Sequence, residues 1–130
     1  SFGYFEKNED EQKAINKMAL NLKPEGILII DFMNTKRVTE HLINYEEKKV
    51  DGITFKIKRS IKNKYIIKDI AFSDNGKNFQ FKEKVRGLTL TDFSNLISNA
   101  ELKIIDTFGN YKLEDFNALE SERLIIVCKK

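Results

Sequence analysis

The sequence predicts a mixed α/β domain with an antiparallel β-meander set into it, and three observations carry that prediction. Ile15, Met18, Ala19 and Leu22 recur at helical spacing and lead into the unbroken apolar run Ile27 to Ile30. Between 45 and 86 the apolar period changes to two. Helical spacing then returns at Phe93, Leu96, Ile97 and Ala100, ahead of a second unbroken apolar run, Leu124 to Cys128.

The first helix has a start signal in Asn8, with Glu11 three residues on as in a capping box, and a stop at Pro24. Gly26 releases the chain into Ile27, Leu28, Ile29 and Ile30, whose β-branched majority and lack of alternation predict a strand covered on both faces. Helix, tight turn and strand make half of a βαβ unit whose first strand does not precede them. Further on, Ile53, Phe55 and Ile57 alternate with Thr54, Lys56 and Lys58, and Phe79, Phe81 and Val85 with Gln80, Lys82 and Lys84. Asp51-Gly52, Lys62-Asn63-Lys64 and Ser73-Asp74-Asn75-Gly76 punctuate these stretches as turns, so they read as a meander with one polar face. Thr89, with Asp92 three residues later, caps the next helix, and Leu102 to Phe108 and Arg123 to Lys129 close the chain as strands. Leu124 to Cys128 is expected beside Ile27 to Ile30 at the centre of the sheet, because both runs lack a polar side. There is no internal repeat, low-complexity segment or linker.

A length of 130 residues suits one domain, and 41% hydrophobic with 33% charged residues is ordinary for a soluble protein. No apolar run approaches the roughly 20 residues of a membrane span, and no signal peptide is recognisable, so no membrane contact and a cytoplasmic location are expected. Twenty-three Lys plus Arg against twenty Asp plus Glu leave a net charge of +3, spread along the chain. Lys56, Lys58, Arg59, Lys62, Lys64 and Lys68 form a local cluster, but in an alternating region that reads as a solvated face, so nucleic acid is not expected as a partner. Cys128 and His41 are single, which leaves no disulfide, no zinc site and no Cys–His nucleophile; both read as structural.

Four strings, in order, extend this reading. They are SFGYF at 1–5, LKPEGILIIDFMN from Leu22 to Asn34, EKVRGLTLTDFSNLISNAEL from Glu83 to Leu102, and FGNYKLEDF followed by SERLIIVCKK from Ser121 to Lys130. Over nearly the whole chain they resemble the C-terminal half of a class I S-adenosylmethionine-dependent methyltransferase. The resemblance implies an α/β fold, the C-terminal half of a Rossmann-like methyltransferase sheet with the meander 45–86 inserted as an acceptor-side lid. For the parent protein it implies S-adenosylmethionine as cofactor and a small-molecule acceptor. In the family, a glycine-rich turn and a ribose-binding acidic residue precede the SFGYF-like segment. Here the six glycines are isolated singles, and no initiator Met is present. The chain therefore reads as a fragment, expected to bind no cofactor and to be inactive alone, and to self-associate through its uncovered strand edge. Two departures stand out: Ala100-Glu101-Leu102 where the family often has Ala-Gly-Phe, and Ser121-Glu122-Arg123 where it often has Ser-Pro-Arg.

By the same resemblance Ser1, Phe2 and Gly3 border the methyl donor, and Tyr4 with Phe5 either walls the acceptor pocket or packs beside the helix start. Asp31 and Asn34 close the strand from which polar groups reach toward the acceptor, unless Asn34 caps a helix. Arg86 and Arg123, two of only four arginines, either hold an acidic group of the acceptor or pin a loop. Tyr111, after Gly109-Asn110, either covers the pocket or occupies a surface turn. No catalytic base is singled out, because a sulfonium is already electrophilic and alignment dominates methyl transfer. A second reading, a non-enzymatic α+β interaction module that associates through exposed strand edges, also fits the sequence.

Overall fold

The computed structural model describes residues 8–130, so Ser1, Phe2, Gly3, Tyr4 and Phe5 lie outside the described residues. In chain order the elements are α1 (Asn8–Asn21), β1 (Ile27–Met33), α2 (Thr35–Glu40), β2 (Tyr45–Val50), β3 (Ile53–Lys62), β4 (Tyr65–Asp74), β5 (Lys77–Arg86), α3 (Leu90–Asn99), β6 (Lys103–Phe108) and β7 (Arg123–Lys129). They form a three-stranded sheet in the order β1-β7-β6 and a four-stranded sheet in the order β2-β3-β4-β5.

The three-stranded sheet is antiparallel throughout, with Ile30 opposite Ile126 and Ile104 opposite Cys128. β7 thus lies in the middle, beside β1 as its apolar run predicts. Helices α1 and α3 cover one face. Ile15 and Ala19 from α1, Phe93 and Ile97 from α3, and Ile30, Phe32, Leu124, Ile126 and Cys128 from the strands form one core, in which Phe32 and Phe93 meet edge to face at 5.2 Å. Burying an Ile, Leu or Phe side chain there stabilises by about 1.5–3 kcal/mol.

Two expectations need correction, and one element is new. β1 is covered on one face only: Ile30 and Phe32 are buried, whereas Ile27 is 47% and Ile29 63% exposed. Side chains alternate along a strand, so Ile27 and Ile29 project to the face opposite the buried Ile30 and Phe32. Met18 also faces outward, because Ile15 and Ala19 occupy the helical stripe that meets α3. The short helix α2 had no periodic signal in the sequence.

At the end of α3 the departure at Glu101 does not abolish the helix ending. Glu101 adopts φ 60, Leu102 N–H donates to Ile97 O at 3.1 Å, and Glu101 N–H to Ser98 O at 3.0 Å. This is the left-handed helix ending usually given to glycine. At the other end Thr89 and Asp92 form the expected reciprocal capping box.

The four-stranded sheet is a meander closed by three tight turns, in which Asp51 with Gly52, Asn63 with Lys64, and Asn75 with Gly76 all have positive φ. Such turns match the right-handed twist of the strands they join. One face carries Phe55, Phe72, Phe79 and Phe81, with Phe72 4.8 Å from Phe55, 5.0 Å from Phe79 and 6.0 Å from Phe81 between ring centres. The other is polar. The sheet joins the rest of the protein where β5 runs into α3: Thr35 Oγ1 donates to Leu88 O at 2.6 Å, and Gly87 N–H to Lys64 O at 2.7 Å. A Cβ at Gly87 would stand 2.7 Å from Thr35 Cγ2, so glycine is required there by close approach.

Ile126, fully buried on the central strand, tests this architecture. Ile126→Asp places an unpaired carboxylate in the core at a cost of several kcal/mol, enough to unfold a marginally stable domain. Circular dichroism and thermal melting are expected to show loss of cooperative folding; a folded, cooperative variant would remove β7 from the centre.

Candidate functional site

Ligands of open α/β sheets bind beyond the carboxyl ends of their strands, and at that end of β1 the structure gathers polar side chains from distant parts of the chain. Asp31 is the fifth residue of the strand. The register sets Asp31 opposite Ile125 and Met33 opposite Arg123, so Asp31 and Arg123 emerge on the same side as diagonal neighbours. Arg123 Nε donates to Asp31 Oδ1 at 2.6 Å, and Tyr111 Oη, from the loop between β6 and β7, donates to Asp31 Oδ2 at 2.7 Å. The Arg123 guanidinium also lies over the Tyr111 ring, 5.8 Å from its centre. Burial pushes the Asp31 carboxyl up, but the hydrogen bonds from Arg123 and Tyr111 and the charge of Arg123 outweigh it, and the group sits below its ordinary 3.8. The bond to Asp31, then burial, hold the Tyr111 phenol above its ordinary 10.0 despite the opposing charge of Arg123.

Asn34 stands at the N-cap position of α2, but its side chain makes no capping bond. Its amide instead donates to Ala118 O at 2.9 Å and Ser121 O at 2.8 Å, with a longer contact to Asn117 O at 3.4 Å. This holds the segment leading into β7 against the end of β1. Gly109 N–H donates to Glu114 O, Arg123 N–H to Gly109 O, and Asn117 N–H to Ser121 Oγ, which fold the loop into a compact platform. Tyr111 projects from that platform and is 71% exposed.

The structure therefore brings Asp31, Asn34, Tyr111 and Arg123 together, and it places Arg86 elsewhere. At the end of β5, Arg86 Nη1 lies 2.9 Å from Glu11 Oε2. Glu11 is buried to 1% exposure, and its Oε1 has no hydrogen-bond partner among the described residues. Burial pushes its carboxyl above the ordinary 4.5; the Arg86 charge opposes this and Asp92 adds to it. Glu11, expected as a capping-box residue, is instead a buried partner of Arg86. The available signal was its spacing, since Glu11 shares a helical stripe with Ile15 and Ala19. His41 is exposed at the end of α2, on a cavity of about 280 Å³ that Arg37, Glu46, Arg59 and Glu122 also line. Cys128 is buried, its thiol pushed up to about 11 by desolvation.

Among the described residues no group of His, Cys, Asp and Glu could hold a metal ion, and no helix is long and apolar enough to cross a membrane. The site is a hydrogen-bonding surface. With Nε on Asp31, the terminal nitrogens of Arg123 keep donors to offer, and Tyr111 Oη, having donated its proton, keeps lone pairs that accept from an amine or a hydroxyl.

No protein-family model matches the sequence, and no curated protein matches it. Solved structures do match. A S-adenosylmethionine-dependent methyltransferase from Clostridium acetobutylicum superposes with a TM-score of 0.81 at 19% identity, over 98% of this chain and 53% of its own. The CcbJ methyltransferase from Streptomyces caelestis gives 0.80 at 12%, over 97% and 52%. The fold is that of the C-terminal half of a class I methyltransferase. A third example, the sugar N-methyltransferase KedS8 from Streptoalloteichus, gives a TM-score of 0.64 at 11% identity, over 96% of this chain and 51% of its own. At these identities the fold is what is shared, and the chain spans about half the length of the methyltransferases it matches.

Two variants probe the electrostatics of this half-fold. Arg86→Met leaves Glu11 buried without its counter-charge and is expected to cost about 3–5 kcal/mol at neutral pH. Because the folded pKa of Glu11 is raised, its contribution to stability is full below 4.5 and declines as pH rises through the folded value. Denaturant titrations should accordingly find part of the Arg86→Met loss restored in acid, and a pH-independent loss would contradict the pairing. Asp31→Asn removes the charge and main acceptor that raise the Tyr111 phenol. Ultraviolet titration should show one tyrosine moving down toward 10.0, and an unchanged profile would break the Tyr111–Asp31 contact.

Proposed function

We propose that the chain is the C-terminal part of a protein that transfers a methyl group from S-adenosylmethionine to a small-molecule acceptor, with the acceptor lying against Asp31, Tyr111 and Arg123. The observation that carries the reading is the overlap of nearly the whole chain with one half of solved methyltransferases, with this polar cluster at the carboxyl end of β1. In this reading Tyr111 Oη accepts from an amine or hydroxyl of the acceptor, and Arg123 and Asp31 fix the phenol in place. Asn34 keeps the platform under Tyr111, and the meander 45–86 closes the acceptor side. The contribution is orientation, the main requirement when the methyl group is already activated.

In this reading the described residues do not by themselves hold the cofactor. Gly52 and Gly76 occupy hairpin turns, and a Cβ at Gly109 would stand 2.1 Å from Ser121 Oγ, so these positions offer no bare glycine-rich backbone for a ligand to approach. In this reading the donor is held mainly by the part of the protein that precedes the SFGYF-like segment, with Ser1, Phe2 and Gly3 at its border and Tyr4 toward the acceptor. That part would also cover the second face and the outer edge of β1, where Ile27 and Ile29 are exposed and, among the described residues, only β7 is paired. Alone, the chain would self-associate through that surface.

Calorimetric titration with S-adenosylmethionine decides the point. Saturable micromolar binding is expected for the parent protein and none for residues 1–130, because losing several hydrogen bonds worth roughly 0.5–3 kcal/mol each abolishes a micromolar site. Sedimentation of the short chain is expected to show association at micromolar concentration. Micromolar binding by the short chain, or none by the parent, would overturn the reading.

A further inference from the structure

The polar face of the meander gathers charge of one sign. Residues opposite one another in an antiparallel ladder project to the same side, so the register sorts the side chains of the four strands. Lys58 lies opposite Tyr45 on β2 and Asp69 on β4, and Asp69 lies opposite Lys82 on β5. One row along, Lys56 lies opposite Glu47 and Ala71, and Ala71 opposite Gln80. With Lys49, Lys62 and Lys84 on the same side, six lysines share the face with two acidic residues, Glu47 and Asp69. Of those two, Asp69 pairs with Lys82 at 3.8 Å, and Glu47 accepts from Tyr45 Oη at 2.9 Å. Lys56 and Lys58 have no ion-pair partner among the described residues. A face that only meets water mixes its signs; this one concentrates a single sign.

The face also has a hollow. Ala71, a small residue in the middle of the sheet, floors a depression of about 820 Å³ walled by Lys56, Lys58, Asp69, Gln80 and Lys82. That volume falls in the range of small-molecule sites. Several ammonium groups around one depression suit a multiply charged anion, to which lysine binds as a point charge. Arg86 belongs to the same face and reaches Glu11, so the root of this face stands over the start of α1.

We propose that the Lys56–Lys58–Lys82 depression over Ala71 binds a small molecule through a compact multivalent anionic group. That this molecule is the methyl acceptor rests on the function proposed above; the binding does not. Binding without methyl transfer by the parent would sink that function alone, and methyl transfer to an uncharged acceptor without anion binding would sink the present proposal alone.

The test is calorimetric titration of the 130-residue chain with inorganic pyrophosphate and with citrate, at low and physiological salt. Saturable binding that weakens as salt rises is expected. The double variant Lys56→Gln with Lys82→Gln should lose at least tenfold in affinity, and so should Ala71→Leu, which fills the floor while keeping every charge. The control Lys13→Gln with Lys36→Gln, equal in charge removed, should bind as before, with circular dichroism verifying the fold of each variant. Equal binding of both probes assigns recognition to multivalent charge, and preference for pyrophosphate assigns it to phosphate; either supports the site. Absence of saturable heat, an equal loss in the control, or binding only of a single-stranded oligonucleotide with affinity growing with its length would overturn it.

Discussion

The insertion of β7 between β1 and β6 is the constraint from which the rest follows. β1 and β7 come from opposite ends of the chain, and the ladder that joins them fixes which residues share a face. A slip of one position would send Leu124, Ile126 and Cys128 out of the core and replace them with Arg123, Ile125 and Val127. It would also part Asp31 from Arg123. Core and candidate site are thus specified by one register, the core face through apolar packing and the opposite face through the ion pair.

What the sequence disclosed was local. The turns at Asp51-Gly52 and Asn75-Gly76, the box of Thr89 and Asp92, and the stripe Phe93, Ile97 and Ala100 lie within a few residues of the partners they need. Features that depend on distant neighbours were harder to read. The run Ile27 to Ile30 has the composition of a doubly covered strand, yet coverage of its second face depends on what packs there rather than on its own residues. The spacing of Glu11 with Ile15 and Ala19 signals that it faces the core, but its partner Arg86, across a long stretch of chain, cannot be read from spacing. Asn34 was legible as polar and strand-terminal; that it would clamp the carbonyls of residues 118 and 121 instead of capping α2 was not.

The meander sorts its residues into two unlike faces, one aromatic and one basic, and is fastened at its root by Thr35 on one side and Glu11 on the other. The two fastenings differ in kind. Thr35 makes a neutral bond that any environment tolerates, whereas Glu11 keeps one buried oxygen without a partner among the described residues. A buried pair of this sort is weak evidence of added stability; it acts through the penalty for breaking it, which ties the orientation of β5 to that of α1.

The three tight turns of the meander have a kinetic consequence. Closing a loop costs entropy that grows with its length, and each hairpin closes over a two-residue turn, whereas the central ladder must join residue 30 to residue 126. Strands β3 to β5 can thus pair before the chain ends have met. A meander already folded shortens the path between β1 and β7 by removing 34 residues, 53–86, from the loop to be closed. Pulsed hydrogen exchange would register this order as protection in 53–86 ahead of 124–128; simultaneous protection would mean that the sheet waits for its central strand.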